Sequence, residues 1–234
     1  MTFPVTNRTR ILCARTGGFL TLFILPVFMA VDMISSRFEV EGDVAQSARR
    51  ILGNELLYRS GLSLNLLVVL ITVLLAVCFY TVLKPVSGPV ALFAFSLRLV
   101  EAAMVSVETA ISFIVLNLYT GKDLGSAFSL EQRAALVKLY DHEYGIAFHI
   151  GLVLSCVALF LFNFLLFKAR YIPRIISILC MVAAPLIALL GILNLVAPQD
   201  VNPLLFLRLV MLVAMLSEGL WLLVKGVRLE GQLV

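Results

Sequence analysis

Leu97-Arg98-Leu99-Val100 followed by Glu108, and Leu207-Arg208-Leu209-Val210 followed by Glu218, are two copies of one pattern set inside long apolar runs. The tetrapeptide is identical, and the arginine precedes the glutamate by ten residues in both copies. A charged side chain at the centre of a membrane helix costs about 2.5–3.5 kcal/mol to insert, so such a residue marks a functional site or pairs with another charge. Glu101 lies one helical turn beyond Arg98, and Asp32 lies near the far end of the first apolar run. Asp32, Arg98, Glu101, Glu108, Arg208 and Glu218 therefore make up the expected polar core, a site for transport or ligand binding. Carboxyls outnumber arginines there by two. A carboxyl without its own arginine holds a proton or a cation, and Glu101, near the midplane, is the expected proton carrier. The static reading is that Arg98 bridges Glu101 and Glu218 and nothing moves.

These residues need membrane helices to place them. Apolar runs of about 20 residues suit a bilayer, and six occur, at 17–36, 62–83, 90–119, 145–167, 175–196 and 203–224. In the third run a rotation of about 100° per residue puts Ala94, Arg98, Glu101, Val105, Glu108 and Ser112 within about an 80° sector. That stripe faces protein or water, not lipid. In the sixth run Arg208, Met215, Glu218 and Gly219 define a similar face. The two runs are antiparallel, which puts Arg98 at the depth of Glu218; Arg98 is expected to meet Glu218 or Glu101, and Arg208 to meet Glu108 or Asp32. This is the pattern of a 3+3 inverted repeat with halves 1–119 and 120–234, inside one six-helix transmembrane domain spanning 1–234. Gly88-Pro89 and Ile172-Pro173-Arg174 mark short turns, and Pro185 predicts a kink in the fifth run.

Composition agrees with an all-α integral membrane protein. The chain is 62% hydrophobic and 14% charged, with a mean hydropathy of +1.06. No soluble domain of this size hides that much apolar surface. The net charge of +4 does not point to nucleic acid, because its distribution accounts for it. Arg8, Arg10, Arg15, Lys84, Lys168, Arg170, Arg174, Lys225 and Arg228 fall on one side of the membrane, against Glu230 alone. Seven basic residues on the other side meet nine acidic ones. The positive-inside rule then places both termini in the cytoplasm. On the outer side, 43–58 and 129–140 read as two amphipathic helices lying at the surface, the second opened by the capping pair Ser129 and Gln132.

Other chemistry finds no support. Cys13, Cys78, Cys156 and Cys180 have no CxxC spacing and read as small buried apolar side chains. His142-Glu143 has its second histidine, His149, too far along a helix for shared metal ligation. No metal or cofactor is expected, and no nucleophile–base constellation argues for an enzyme. Asn163 and Asn194 read as interhelical hydrogen-bonding groups, and Trp221 as an interfacial anchor.

The chain resembles the bacterial multi-pass membrane proteins catalogued as domain-of-unknown-function family 4386. The similar features are Arg15-x-Gly17-Gly18, Gly61, Leu83-Lys84-Pro85-Val86, Arg98-Leu99-Val100-Glu101-Ala102-Ala103, Ile172-Pro173-Arg174 and Glu218-x-x-Trp221. The resemblance implies a six-helix protein of the bacterial cytoplasmic membrane and supplies no activity. The expectation is a small transporter or ion- or proton-coupled permease. The alternative is a non-transporting accessory, sensor or assembly subunit with structural Arg–Glu clasps. Its expected partners are the lipid bilayer and a small molecule or ion.

Overall fold

The computed structural model describes residues 6–38, 40, 43–121, 127–196 and 205–228, without the side chains of residues 44, 130, 141–144, 205, 206 and 208. Seven helices are described: α1 (Asn7–Phe38), α2 (Val44–Gly53), α3 (Glu55–Leu83), α4 (Gly88–Thr120), α5 (Leu130–Ala169), α6 (Arg174–Val196) and α7 (Leu205–Lys225). No strand occurs among the described residues. Within those residues α1, α3, α4, α5 and α6 are long and apolar enough to cross a membrane. This is the helical architecture of a multi-pass membrane protein, in which intrahelical bonding satisfies the backbone that lipid cannot. The helix α7 occupies most of the sixth expected run.

Local chemistry explains the ends. Thr6 opens α1 by accepting from the Thr9 amide at 3.3 Å. Asp43 caps α2 through the Gln46 amide at 2.8 Å. At α5 the Gln132 amide donates to Ser129 Oγ at 3.3 Å and the Ser129 amide donates to Gln132 Oε1 at 2.9 Å, the reciprocal capping box expected from the sequence. The turn after α3 covers residues 84–87, held by the Lys84 amide on Tyr80 O at 2.8 Å. Gly88 and Pro89 begin α4 itself, where a missing amide proton costs nothing. After α5, Arg170 takes a φ of 54°, and the Tyr171 amide reaches back to Leu166 O at 3.2 Å. That is a helix-ending left-handed residue, here without the usual glycine.

Two expectations change. The segment 129–140 is not a separate surface helix: it forms the first turns of α5, which runs 40 residues without a break. No proline interrupts that stretch, so the helix propagates through Gly145 into the apolar run. The segment 43–58 divides at Asn54, so α2 is separate while Glu55 to Tyr58 belong to α3. Pro185 lies inside α6, and a second proline, Pro26, inside α1. Such interruptions are tolerated where neighbouring groups take up the freed carbonyl.

The chain forms two compact units. One comprises residues 1–24, 71–102 and 149–234; the other comprises 25–70 and 103–148. In the first, α6 packs on α7 around Cys156, Ala183, Ala184, Ile187, Ala188 and Met211. There α1 crosses α7 at Gly18 and Gly219: a Cβ on Gly18 would stand 2.6 Å from Gly219 O. In the second, the buried face of α2 (Ser47, Ile51) joins a core of Phe38, Tyr58, Leu62, Leu116, Tyr119 and Val137. The rings of Phe38 and Tyr58 meet edge-on at 5.6 Å.

Candidate functional site

Arg98 and Glu101 are three residues apart on α4, so their side chains share one face. Arg98 Nη1 lies 2.5 Å from Glu101 Oε2 and donates to Ser155 Oγ on α5 at 2.6 Å. Arg98 is buried, and Glu101 is nearly so. This ion pair with a hydroxyl attached ties α4 to α5. Of the two partners expected for Arg98, the structure shows Glu101, which gives the carboxyl expected to carry a proton its own arginine. A same-helix partner one turn away needs no tertiary arrangement to find.

Glu218 is also buried, at 3% exposure, and it meets α5 and α6 instead of Arg98. Its Oε2 accepts from Asn163 Nδ2 at 3.3 Å and from Cys180 Sγ at 3.6 Å. Its Oε1 has no hydrogen-bond partner among the described residues, and neither does Asn163 Oδ1. The ion pairs among the described residues are Arg59–Glu55 and Arg98–Glu101, so Glu218 has no cation there. Ser177 Oγ and Trp221 Nε1, one turn from Cys180 and Glu218 along their helices, are likewise buried without partners. Three helices thus bring amide, thiol and carboxyl groups to one junction.

Glu108 is buried in the second unit, where its carbonyl accepts from Ser112 Oγ at 3.0 Å. The Arg208 side chain, and with it the pairing expected with Glu108 or Asp32, lies outside the described residues, as does the side chain of His142. Asp32 is exposed, beside the exposed Met29 and Met33 on α1. It is not part of a buried core, because the phase of α1 turns it onto an outer face.

Sequence reasoning treated Asn163 as a helix-joining group, and it does join α5 to α7. It missed Ser155 and Cys180. Each is a lone small residue in an apolar run, and only tertiary packing turns it toward a charge. All four cysteines are free thiols. Cys13 and Cys78 line a small apolar recess with Ala14, Gly17, Phe79, Val82, Leu166 and Leu222. No charged residue lines it, so it is not a polar pathway to Glu218.

On the side of α5 and α6 that carries Arg170 and Tyr171, Arg10 reaches across from α1. It donates to Tyr171 Oη and to Val82 O, the latter at 3.3 Å. Its guanidinium also lies over the Tyr171 ring, 5.3 Å from the centroid. Lys84, Arg174 and Arg228 lie over Tyr80, Phe167 and Trp221 in the same manner. Cations resting on aromatic faces at helix ends suit a membrane–water interface.

The family model described as Domain of unknown function (DUF4386) matches residues 16–226. No curated protein and no solved structure matches the chain.

Proposed function

The chain belongs to the DUF4386 family, and from that premise and the junction at Glu218 we propose that it is a small ion- or proton-coupled permease. It sits in the bacterial cytoplasmic membrane with six spans, α7 being the sixth, and with both termini in the cytoplasm. Its two copies of the Arg–Glu pattern belong to inverted three-helix halves. The observation that carries this reading is the Glu218 carboxyl: buried, without a cation among the described residues, and with one oxygen unused. Intramembrane carboxyls of that kind mark ion and proton pathways. Glu218 takes the coupling role that the sequence assigned to Glu101. The chain acts by binding and movement; catalysis is not part of this reading.

The test is flux. The full chain, reconstituted in vesicles with an imposed proton gradient, is offered a panel of small solutes and cations. Wild type should move at least one of them in response to the gradient. Glu218→Gln should abolish gradient-driven flux, while the folded protein is still recovered. Undiminished flux in that variant removes Glu218 from the coupling role. A wild type that moves nothing favours a second reading.

That second reading rests on the Arg98–Glu101–Ser155 cluster, which is paired and closed as a structural clasp would be. The chain is then a non-transporting accessory, sensor or assembly subunit. In that case Glu218 is a helix-joining group like Asn163.

A further inference from the structure

The hydrogen bonds around Asn163 leave a complementary remainder. The Asn163 amide nitrogen donates twice, to Leu159 O at 3.2 Å and to Glu218 Oε2 at 3.3 Å. These two acceptors fix the orientation of the amide: turned over, its oxygen would face a carbonyl and a carboxylate. What is left is Asn163 Oδ1 and Glu218 Oε1, both buried and both without a partner among the described residues. An amide and a carboxylic acid can close a planar ring of two hydrogen bonds, and these are the two atoms that its second edge would use. On the first edge N–H meets a carboxyl oxygen, and on the second O–H meets the amide oxygen. Two bare acceptors cannot bond each other. One proton on Glu218 Oε1 makes it a donor and satisfies both atoms at once. Buried polar atoms are almost always satisfied, and a proton, unlike a metal ion or a water, needs no cavity.

We infer that Asn163 and Glu218 form a one-proton acid–amide pair, with the proton on Glu218 Oε1 directed at Asn163 Oδ1. The surroundings are consistent with it. From α6 the titratable group facing Glu218 is Cys180, whose thiol already points to Oε2. From α5 it meets Asn163, which does not titrate. From α1 the approach to α7 beside Glu218 is made by Gly18 and Leu22, neither of them ionisable. On α4, Arg98 and Glu101 are paired with each other, and no contact of either with Glu218 occurs among the described residues. Neither of the hydrogen-bond partners of Glu218, Asn163 and Cys180, is a cation that could replace the proton. The inference deepens the permease reading, since it names the proton as the ion held and Asn163 as the residue that positions it. It rests on that reading only for the use made of the proton, not for its presence.

Infrared difference spectroscopy tests it apart from flux. The full chain is reconstituted in lipid and compared with Glu218→Gln in H2O and D2O. The wild type should show the carbonyl stretch of a protonated carboxyl, shifted down in D2O, and the Glu218→Gln spectrum should lack it. Asn163→Leu should keep that band but move it to the higher frequency of an acid with no hydrogen-bond acceptor. If Glu218→Gln instead removes an ionised-carboxylate band, the inference is overturned. If the band stays in place in Asn163→Leu, Asn163 does not position the proton and the pair is overturned. Glu218→Gln keeps the fold on this account, because its amide pairs with Asn163 along both edges. Should it nevertheless not fold, Asn163→Leu alone decides, by a shifted band or an unshifted one. Protonated Glu218 with no flux defeats the permease reading alone; flux with an ionised Glu218 defeats the inference alone.

Discussion

Replacing Arg98 by methionine tests whether its cluster is a clasp. Arg98 is 6% exposed and the Glu101 side chain 15%, so the pair is close to the fully buried limit. Removing one partner of such a pair costs about 3–5 kcal/mol, because the other charge stays buried alone. Arg98→Met should fall in that range, since it strands Glu101 and also empties the donor to Ser155 Oγ. Glu101→Leu should cost as much, now stranding the guanidinium. The double variant Arg98→Met/Glu101→Leu should recover most of the loss, because replacing both members of a buried pair by apolar groups is often neutral or stabilising. The coupling energy of the cycle should therefore be about 3 kcal/mol or more, well above the 0.5 kcal/mol expected of independent sites. Ser155→Ala should cost about 1 kcal/mol, the worth of one hydrogen bond. The assay is equilibrium unfolding in mixed micelles, followed by helicity. Single variants costing under about 1 kcal/mol each and adding without coupling would refute the clasp.

Two further perturbations probe how the helices are held. A Cβ on Gly18 would stand 2.6 Å from Gly219 O and 2.9 Å from Leu222 C, both of them backbone atoms that no side-chain rotation relieves; Gly18→Ala should lower stability by about 1–3 kcal/mol, the usual cost of overpacking, read from thermal melts in lipid nanodiscs. Arg170 has a left-handed φ of 54°, which costs a non-glycine residue about 1–2 kcal/mol, so Arg170→Gly should raise the same melting temperature; a fall would mean that the Arg170 side chain contributes more than its backbone costs.

The membrane helices were legible because a 20-residue apolar run admits little else. The capping box at Ser129 was legible because it is local. The sequence named Glu218 and Glu101 as candidate partners of Arg98 but could not choose between them. Matching depths placed Arg98 level with Glu218, but depth fixes only one coordinate. The other, rotation about the helix axis, follows from packing that no single run encodes. Arg98 instead takes Glu101, a partner the helix itself supplies at the third residue. The partners of Glu218 are scattered over α5 and α6, each a lone residue whose direction is set by its neighbours. The long continuous α5 was missed for a different reason. Its first turns are amphipathic and its later part apolar, and a change of pattern looks like a change of element even where the backbone does not break.

The doubled Arg–Glu pattern is best understood through its glutamates. Ten residues of helix place each glutamate about 15 Å along the axis from its arginine, too far for the two to pair within one copy. Each copy therefore delivers a glutamate that must be accommodated by other helices or by a proton. Both are buried, Glu108 at 6% and Glu218 at 3% exposure, whereas Asp32, which has no place in the pattern, is exposed. Arg98, by taking Glu101, leaves Glu218 to Asn163 and Cys180. That division gives one acidic group a cation and leaves the other with an amide and a thiol.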